Sequence, residues 1–320
     1  MGRLIVLVAL LSAGCAGSSS TTPSPAPSPA PVVPSLATVT GHVTATNGGQ
    51  PLGGLSASLG SITTTTDGSG TFSAQTSPSA ALTLRLTGSS IVPRTVNVAA
   101  SASRDVAVNA IALGGAFDLA FYRQFVRNGF ETPASLEPLR RWTQNPNIYL
   151  KTVDDAGTAL DATTLDKTEA ILRDTVSLVT AGTLSAIVER GTGTKDGVVG
   201  WITIHWQSIH NVPFTGPTIC GNSFVGANPG TINFSYAGVC RCPGIEIRPG
   251  TVRHEVVHAL GFWHTDSPSD LMSPSSSQCD TPLSAREKYH GAIAYARPVG
   301  NVDPDVDPSG AVNLAPMRVR

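Results

Sequence analysis

Little of this chain is charged. Its 320 residues include 21 lysines and arginines against 22 aspartates and glutamates, so 13% carry charge and the net is −1. No basic stripe stands out, which removes the electrostatic footing that nucleic-acid binding requires. Long apolar runs are also scarce. The pronounced one lies within residues 1–14 and is too short to span a bilayer. Cysteines number only five. Glycine (32) and proline (24) are plentiful instead, which suits β-rich modules joined by linkers. The length favours two or more domains over one.

Residues 1–14 (MGRLIVLVALLSAG) have one positive charge, an apolar run and small residues ahead of Cys15. That is the layout of a secretory signal. Leu11-Ser12-Ala13-Gly14-Cys15 resembles a bacterial lipobox, with Ser12 where an aliphatic residue is usual. The resemblance implies that Cys15 is lipidated and anchors the protein in a membrane, each buried CH₂ contributing roughly 0.8 kcal/mol. Ala16 rather than Asp after it implies an outer-membrane lipoprotein, facing the periplasm or the cell surface; plain secretion is the alternative. Residues 15–36 continue as a Ser/Thr/Pro/Ala tether, a semi-stiff spacer with almost nothing to bury.

Residues 37–112 alternate and turn. Strands are expected at 37–46, 55–59, 62–66, 71–74, 82–86, 92–98 and 106–111, with Asn47-Gly48 as a hairpin signal and Asp67-Gly68 as a turn. This spacing predicts a small antiparallel β-sandwich. The stretch GHVTATNGGQPLGGLSASLG with TTTDGSGTF resembles the carboxypeptidase-regulatory-like, or transthyretin-like, module. It carries no catalytic constellation, so a spacer, scaffold or weak binding role follows, with His42 structural.

Residues 113–300 are the candidate catalytic domain. Helical spacing of aromatics marks 117–130, a helix is expected from Thr163 to Thr180 and closed by Gly182, and another over Ser284–Ala296. Strands are expected at 147–153, 184–189, 198–206 and 231–236, with 244–247 leading into the next helix.

That helix carries His254-Glu255-Val256-Val257-His258, followed by Gly261 and His264. Histidines at i and i+4 share one helix face, so both rings can reach one metal ion, with Glu255 beside them. Gly261 lets the chain leave the helix in a conformation that a Cβ would hinder. The turn brings His264 round as a third ligand, and three neutral nitrogens with one open position is the donor set of catalytic zinc. Downstream stands Asp270-Leu271-Met272-Ser273-Pro274. Residues 254–274 resemble the H-E-x-x-H-x-x-G-x-x-H and Met-turn of metzincin zinc peptidases. The short loop to Met272 and the Met272-Ser273-Pro274 run resemble those of matrixins, although Thr265 fits no common subfamily marker. No tyrosine stands two residues after Met272 to act as an extra ligand.

The resemblance implies an α+β fold: a twisted mixed sheet with two long helices, the zinc helix, the Met-turn and a C-terminal helix. It implies Zn²⁺ at His254, His258 and His264, and hydrolysis of protein or peptide substrates by zinc-activated water with Glu255 as general base. It also implies an exposed edge strand that pairs with extended substrate, expected near Thr231–Tyr236. The rival reading is a non-catalytic, zinc-containing surface protein that grips partner proteins; a monomer is expected in either case.

After Cys15 four cysteines remain. In an exported chain they read as two disulfides. Cys240 and Cys242 are too close to pair with each other, and the preferred pairing is Cys220–Cys240 with Cys242–Cys279. His205, His210 and His290 are expected to be structural. Asp303, Asp305 and Asp307 alternate like a calcium loop, but Pro308 takes the glycine position and no glutamate closes it. Residues 301–320 are expected to be a loose tail.

Overall fold

The computed structural model describes residues 36–77, 81–100, 104–208, 220–236, 238–243, 247–274 and 278–319. The signal segment, Cys15, nearly all of the tether, His210 and most of the 244–247 stretch lie outside the described residues. Residues from Ser35 onward form one compact unit. It is mixed α+β.

Seven strands come first: β1 (Ala37–Ala45), β2 (Ser56–Leu59), β3 (Ile62–Thr65), β4 (Thr71–Thr76), β5 (Leu82–Thr87), β6 (Arg94–Val98) and β7 (Arg104–Ala110). They form two sheets, ordered β4-β1-β7 and β3-β2-β5-β6. Alternate residues of β1 are buried. Val39, Val43, Phe72, Leu84 and Val108 meet in one apolar core.

The expectation of a wholly antiparallel sandwich is corrected: β7 runs parallel to β1, with Val39 opposite Arg104 and Ala45 opposite Ala110. The Asn47-Gly48 turn does reverse the chain, pairing Thr44 with Pro51. The return is brief, because Pro51 has no N–H to donate. The chain then enters the other sheet, where β2 pairs with β3 and β5.

The second half contributes α1 (Leu119–Arg127), β8 (Asn147–Lys151), α2 (Ala162–Val179), β9 (Ile187–Gly191), β10 (Trp201–Gln207), β11 (Gly221–Ser223), β12 (Gly230–Ser235), α3 (Pro249–Ala259) and α4 (Ala285–Tyr295). The sheet order is β11-β12-β10-β8-β9. β8, β9, β10 and β12 are parallel, and β11 is antiparallel to β12. The edge is therefore β11, not the 231–236 strand expected, because residues 221–223 fold back and cover β12.

Caps set the helix ends. Asp118 accepts from the N–H groups of Ala120 and Phe121, and Asp161 accepts from Thr164 N–H. Ser284 and Glu287 form a reciprocal capping box at the start of α4, satisfying donors that a helix start leaves open.

Cys220 is bonded to Cys240, and Cys242 to Cys279, the pairing preferred from the sequence. These disulfides fit a secreted or extracellular protein. No helix among the described residues is long and apolar enough to cross a membrane.

The loose tail is also corrected. Residues 301–307 are wedged between the two halves of the unit. Asp305 accepts from Arg297 at 2.8 Å, with both side chains almost wholly buried. Asp307 takes both terminal nitrogens of Arg94, at 2.6 and 2.7 Å. Asp303 pairs with Arg123. Thr95 and Val306 form a bridge pair. All three aspartates thus answer arginines, which explains their alternation without calcium.

His290 is held from both sides, donating from Nδ1 to Arg286 O at 2.7 Å and accepting Asp118 N–H at Nε2 at 3.0 Å. His205 Nε2 pairs with Asp196.

Two outcomes follow. Asp305→Ala strands the Arg297 guanidinium in the interior, which costs about 3–5 kcal/mol; urea unfolding of the full chain measures it, and an unchanged midpoint contradicts the role given to the tail. Burial holds the His290 imidazole below its ordinary value. Its contribution to stability is therefore complete above the unfolded value, near pH 6.5, and is lost as pH falls below that. An imidazole NMR titration should place the His290 midpoint below 6.5; a midpoint at 6.5 or above overturns this.

Candidate metal centre

α3 begins with Pro249 in its first turn, a position where proline's missing N–H costs nothing. One turn separates His254 from His258, and the helix ends just beyond them. The terminal carbonyls are satisfied from four directions. Trp142 Nε1–H donates to Ala259 O at 2.9 Å, Tyr295 Oη–H to Leu260 O at 2.9 Å, and Gly226 and Gly261 N–H both to His258 O.

Gly261 then takes φ +114°, and a Cβ there would lie 2.0 Å from Arg140 O. Both the conformation and the space demand glycine. Beyond it, Phe262 stacks on Phe125 with ring centroids 4.3 Å apart, and Trp263 N–H donates to Phe125 O at 2.8 Å. These contacts dock the chain on α1 and bring His264 back to the helix.

The three imidazoles converge. His254 Nε2 lies 3.0 Å from His258 Nε2 and 3.2 Å from His264 Nε2. Each ring is fixed by its other nitrogen. His254 Nδ1 donates to Leu271 O at 2.8 Å, His258 Nδ1 to Phe262 O at 2.7 Å, and His264 Nδ1 to Glu131 Oε1 at 2.7 Å. Carbonyl and carboxylate oxygens only accept, so Nδ1 carries a proton in each ring and Nε2 is the nitrogen turned inward. Three ring nitrogens gathered this closely are the donor set that a cation would take. The three histidines could hold a metal ion, and an all-imidazole trio with its outer nitrogens anchored fits zinc.

Burial, reinforced by His264, pushes the His254 imidazole down to about 3, and burial holds His258 well below its ordinary value. Neutral rings are the form a metal requires.

Glu255 is buried beside them. Its Oε2 accepts from Ser223 Oγ at 2.9 Å. Burial raises its carboxyl to about 8, against the opposing pull of the Ser223 hydroxyl and the Arg318 charge. A cation at the three histidines would favour the carboxylate. β11 crosses so close that a Cβ on Gly221 would lie 2.6 Å from Glu255 Cγ.

Met272 is fully buried, and its carbonyl accepts from Thr265 N–H at 2.9 Å, one residue after His264. Its N–H and that of Leu271 donate to the Glu287 carboxylate at 2.9 and 3.3 Å. The glutamate that caps α4 thus also sets the 271–272 turn, whose Leu271 carbonyl orients His254. Asp270 ties the same turn to Arg286 and accepts from Thr265 Oγ1.

The structure therefore brings His254, Glu255, His258, Gly261, His264 and Met272 together. Sequence reasoning missed Glu131, Ser223 and Glu287. Ser284-Ala285-Arg286-Glu287 is a capping-box pattern, so Glu287 had a local signal, though only for the helix start. Glu131 and Ser223 had none, since their partners lie 133 and 32 residues away.

No protein-family model matches the chain, and no curated protein does. Among solved structures, two interface mutants of a type II cohesin–X-dockerin complex from Acetivibrio cellulolyticus are similar at 20% identity. Each match covers 27% of this chain and 66% of the other, just under two thirds of its length, with a TM-score of 0.21.

Removing the Glu131 carboxylate frees the His264 ring. Glu131→Ala should weaken zinc binding about 10- to 100-fold in competition with a chromophoric chelator, and unchanged affinity contradicts the anchoring role.

Proposed function

We propose that the chain is a zinc-dependent endopeptidase of the metzincin type, exported and held at a membrane through lipidated Cys15. The observation that carries this reading is the convergence of three imidazole Nε2 atoms with the Glu255 carboxylate one residue along α3. Supporting it are the mixed sheet with an antiparallel edge strand, the buried Met272 turn and the two disulfides.

When bound, a zinc ion at His254, His258 and His264 supplies Lewis acidity that favours attack of water on a peptide carbonyl. The remaining work falls to the chain's own side chains. Glu255 takes the proton from the attacking water and passes it to the leaving amine, moving a proton at one carboxylate oxygen while Ser223 holds the other. Ser223 and the close approach of Gly221 keep the carboxylate in one rotamer, so proton transfer needs no search. The side of β11 turned away from β12 runs past Glu255, and an extended peptide would pair there in the place that residues 317–318 hold in this structure. The Leu271 carbonyl and the Glu131 carboxylate hold the rings so that binding a metal costs little reorganisation. The 37–110 strands contribute no group to this centre and serve as a scaffold.

The test is cleavage of casein and gelatin by the zinc-loaded full chain beside Glu255→Ala. The variant should keep its metal and lose roughly 100- to 10,000-fold in rate. A zinc-loaded chain that cleaves no protein contradicts the hydrolytic reading and leaves a binding protein.

A further inference from the structure

The residues after 308 return to the metal centre. Val312 lies against Gly300, and Arg140 Nη1 donates to Ala315 O at 2.6 Å. The chain then meets β11. Val225 N–H donates to Met317 O at 2.8 Å, and Phe224 and Arg318 form an antiparallel bridge pair.

The side of the strand matters. β11 pairs with β12 with Asn222 opposite Asn233, and Ser235 N–H reaches back to Cys220 O. Alternation along an antiparallel strand therefore turns the N–H and C=O of Gly221, Ser223 and Val225 away from β12. Residues 317–318 take the open side. Continuing that register sets residue 319 opposite Ser223, whose hydroxyl holds Glu255.

Arg318 is held by more than backbone. Its guanidinium lies 4.0 Å from the Phe224 ring centroid and donates to Asn222 Oδ1 at 2.9 Å, combining cation–π attraction with a directed hydrogen bond. Its charge is felt at Glu255.

We propose that residues 315–319 are a built-in competitor of peptide substrate, laid as an antiparallel strand on the open edge of β11 with Arg318 seated in a subsite made by Phe224 and Asn222. The inference rests on the peptidase reading for the word substrate, but strand and subsite stand on their own contacts. A tethered segment competes at an effective concentration of about millimolar, so a weak strand suffices to block the edge. The subsite it fills also names a preference: an extended peptide with arginine where Arg318 lies.

The probe is a fluorescein-labelled peptide of residues 311–319 (AVNLAPMRV), followed by anisotropy in a Glu255→Ala background. It is titrated into the full chain, into Arg318→Glu, and into a chain ending at Ala315. Both altered chains should bind it at least about tenfold more tightly than the full chain, and a peptide with alanine for arginine should bind more weakly. Hydrogen exchange at the Val225 amide should rise in both, with the α3 amides unchanged. Equal affinity for all three chains, or no binding by either altered chain, overturns the proposal.

Casein cleavage is scored separately with Glu255 intact. If no chain cleaves but the affinity difference holds, the peptidase reading fails and the competing strand remains. If all three cleave with the same KM, the competing strand fails and the peptidase remains.

Discussion

Three imidazoles face one another with their Nε2 atoms inward, and the second half of the chain is arranged to keep them there. Such a cluster is unfavourable alone, since like-directed dipoles repel at about 3 Å. It persists because each ring is tied by its outer nitrogen to a different part of the chain. His258 is tied to the turn that ends its own helix, His254 to the 271–272 turn, and His264 to Glu131 just beyond α1. A centre gripped from three directions is preorganised for a cation.

The grip propagates outward. The 271–272 turn is set by Glu287, so the position of His254 depends on the first turn of α4. His264 depends on Gly261, which alone fits against Arg140 O, and on stacking of Phe262 over Phe125. Glu255 depends on β11, whose Ser223 hydroxyl reaches its carboxylate. β11 begins at the Cys220–Cys240 disulfide, and Cys242–Cys279 joins the approach to α3 to the loop before α4. Cross-links of this kind contribute roughly 2–4 kcal/mol each. They also limit how far the edge and the helix can separate.

What was legible in the sequence was local. The i, i+4 histidines with glycine and a third histidine after them mark both the helix and its exit. α2 and α4 fall within a residue or so of their expected bounds, because the apolar spacing that marks a helix and the Gly182 that closes α2 lie within or next to the segment itself. What was not legible was the choice of distant partner. Nothing in its own composition tells β7 to run parallel to β1, or the short 221–223 segment to cover β12. Asp303, Asp305 and Asp307 alternate within what the sequence suggests is a loose tail, and the arginines that hold them, Arg123, Arg297 and Arg94, lie from 8 to more than 200 residues away. Glu131 belongs to the same class, since its role exists only once His264 is folded against α1.

The most direct measurement is zinc stoichiometry with X-ray absorption on the full, disulfide-bonded chain. The account predicts one zinc per chain with three nitrogen neighbours at about 2.0–2.1 Å and an oxygen completing the shell. Folded chain that takes up no zinc, or zinc bound with sulfur neighbours, would contradict it.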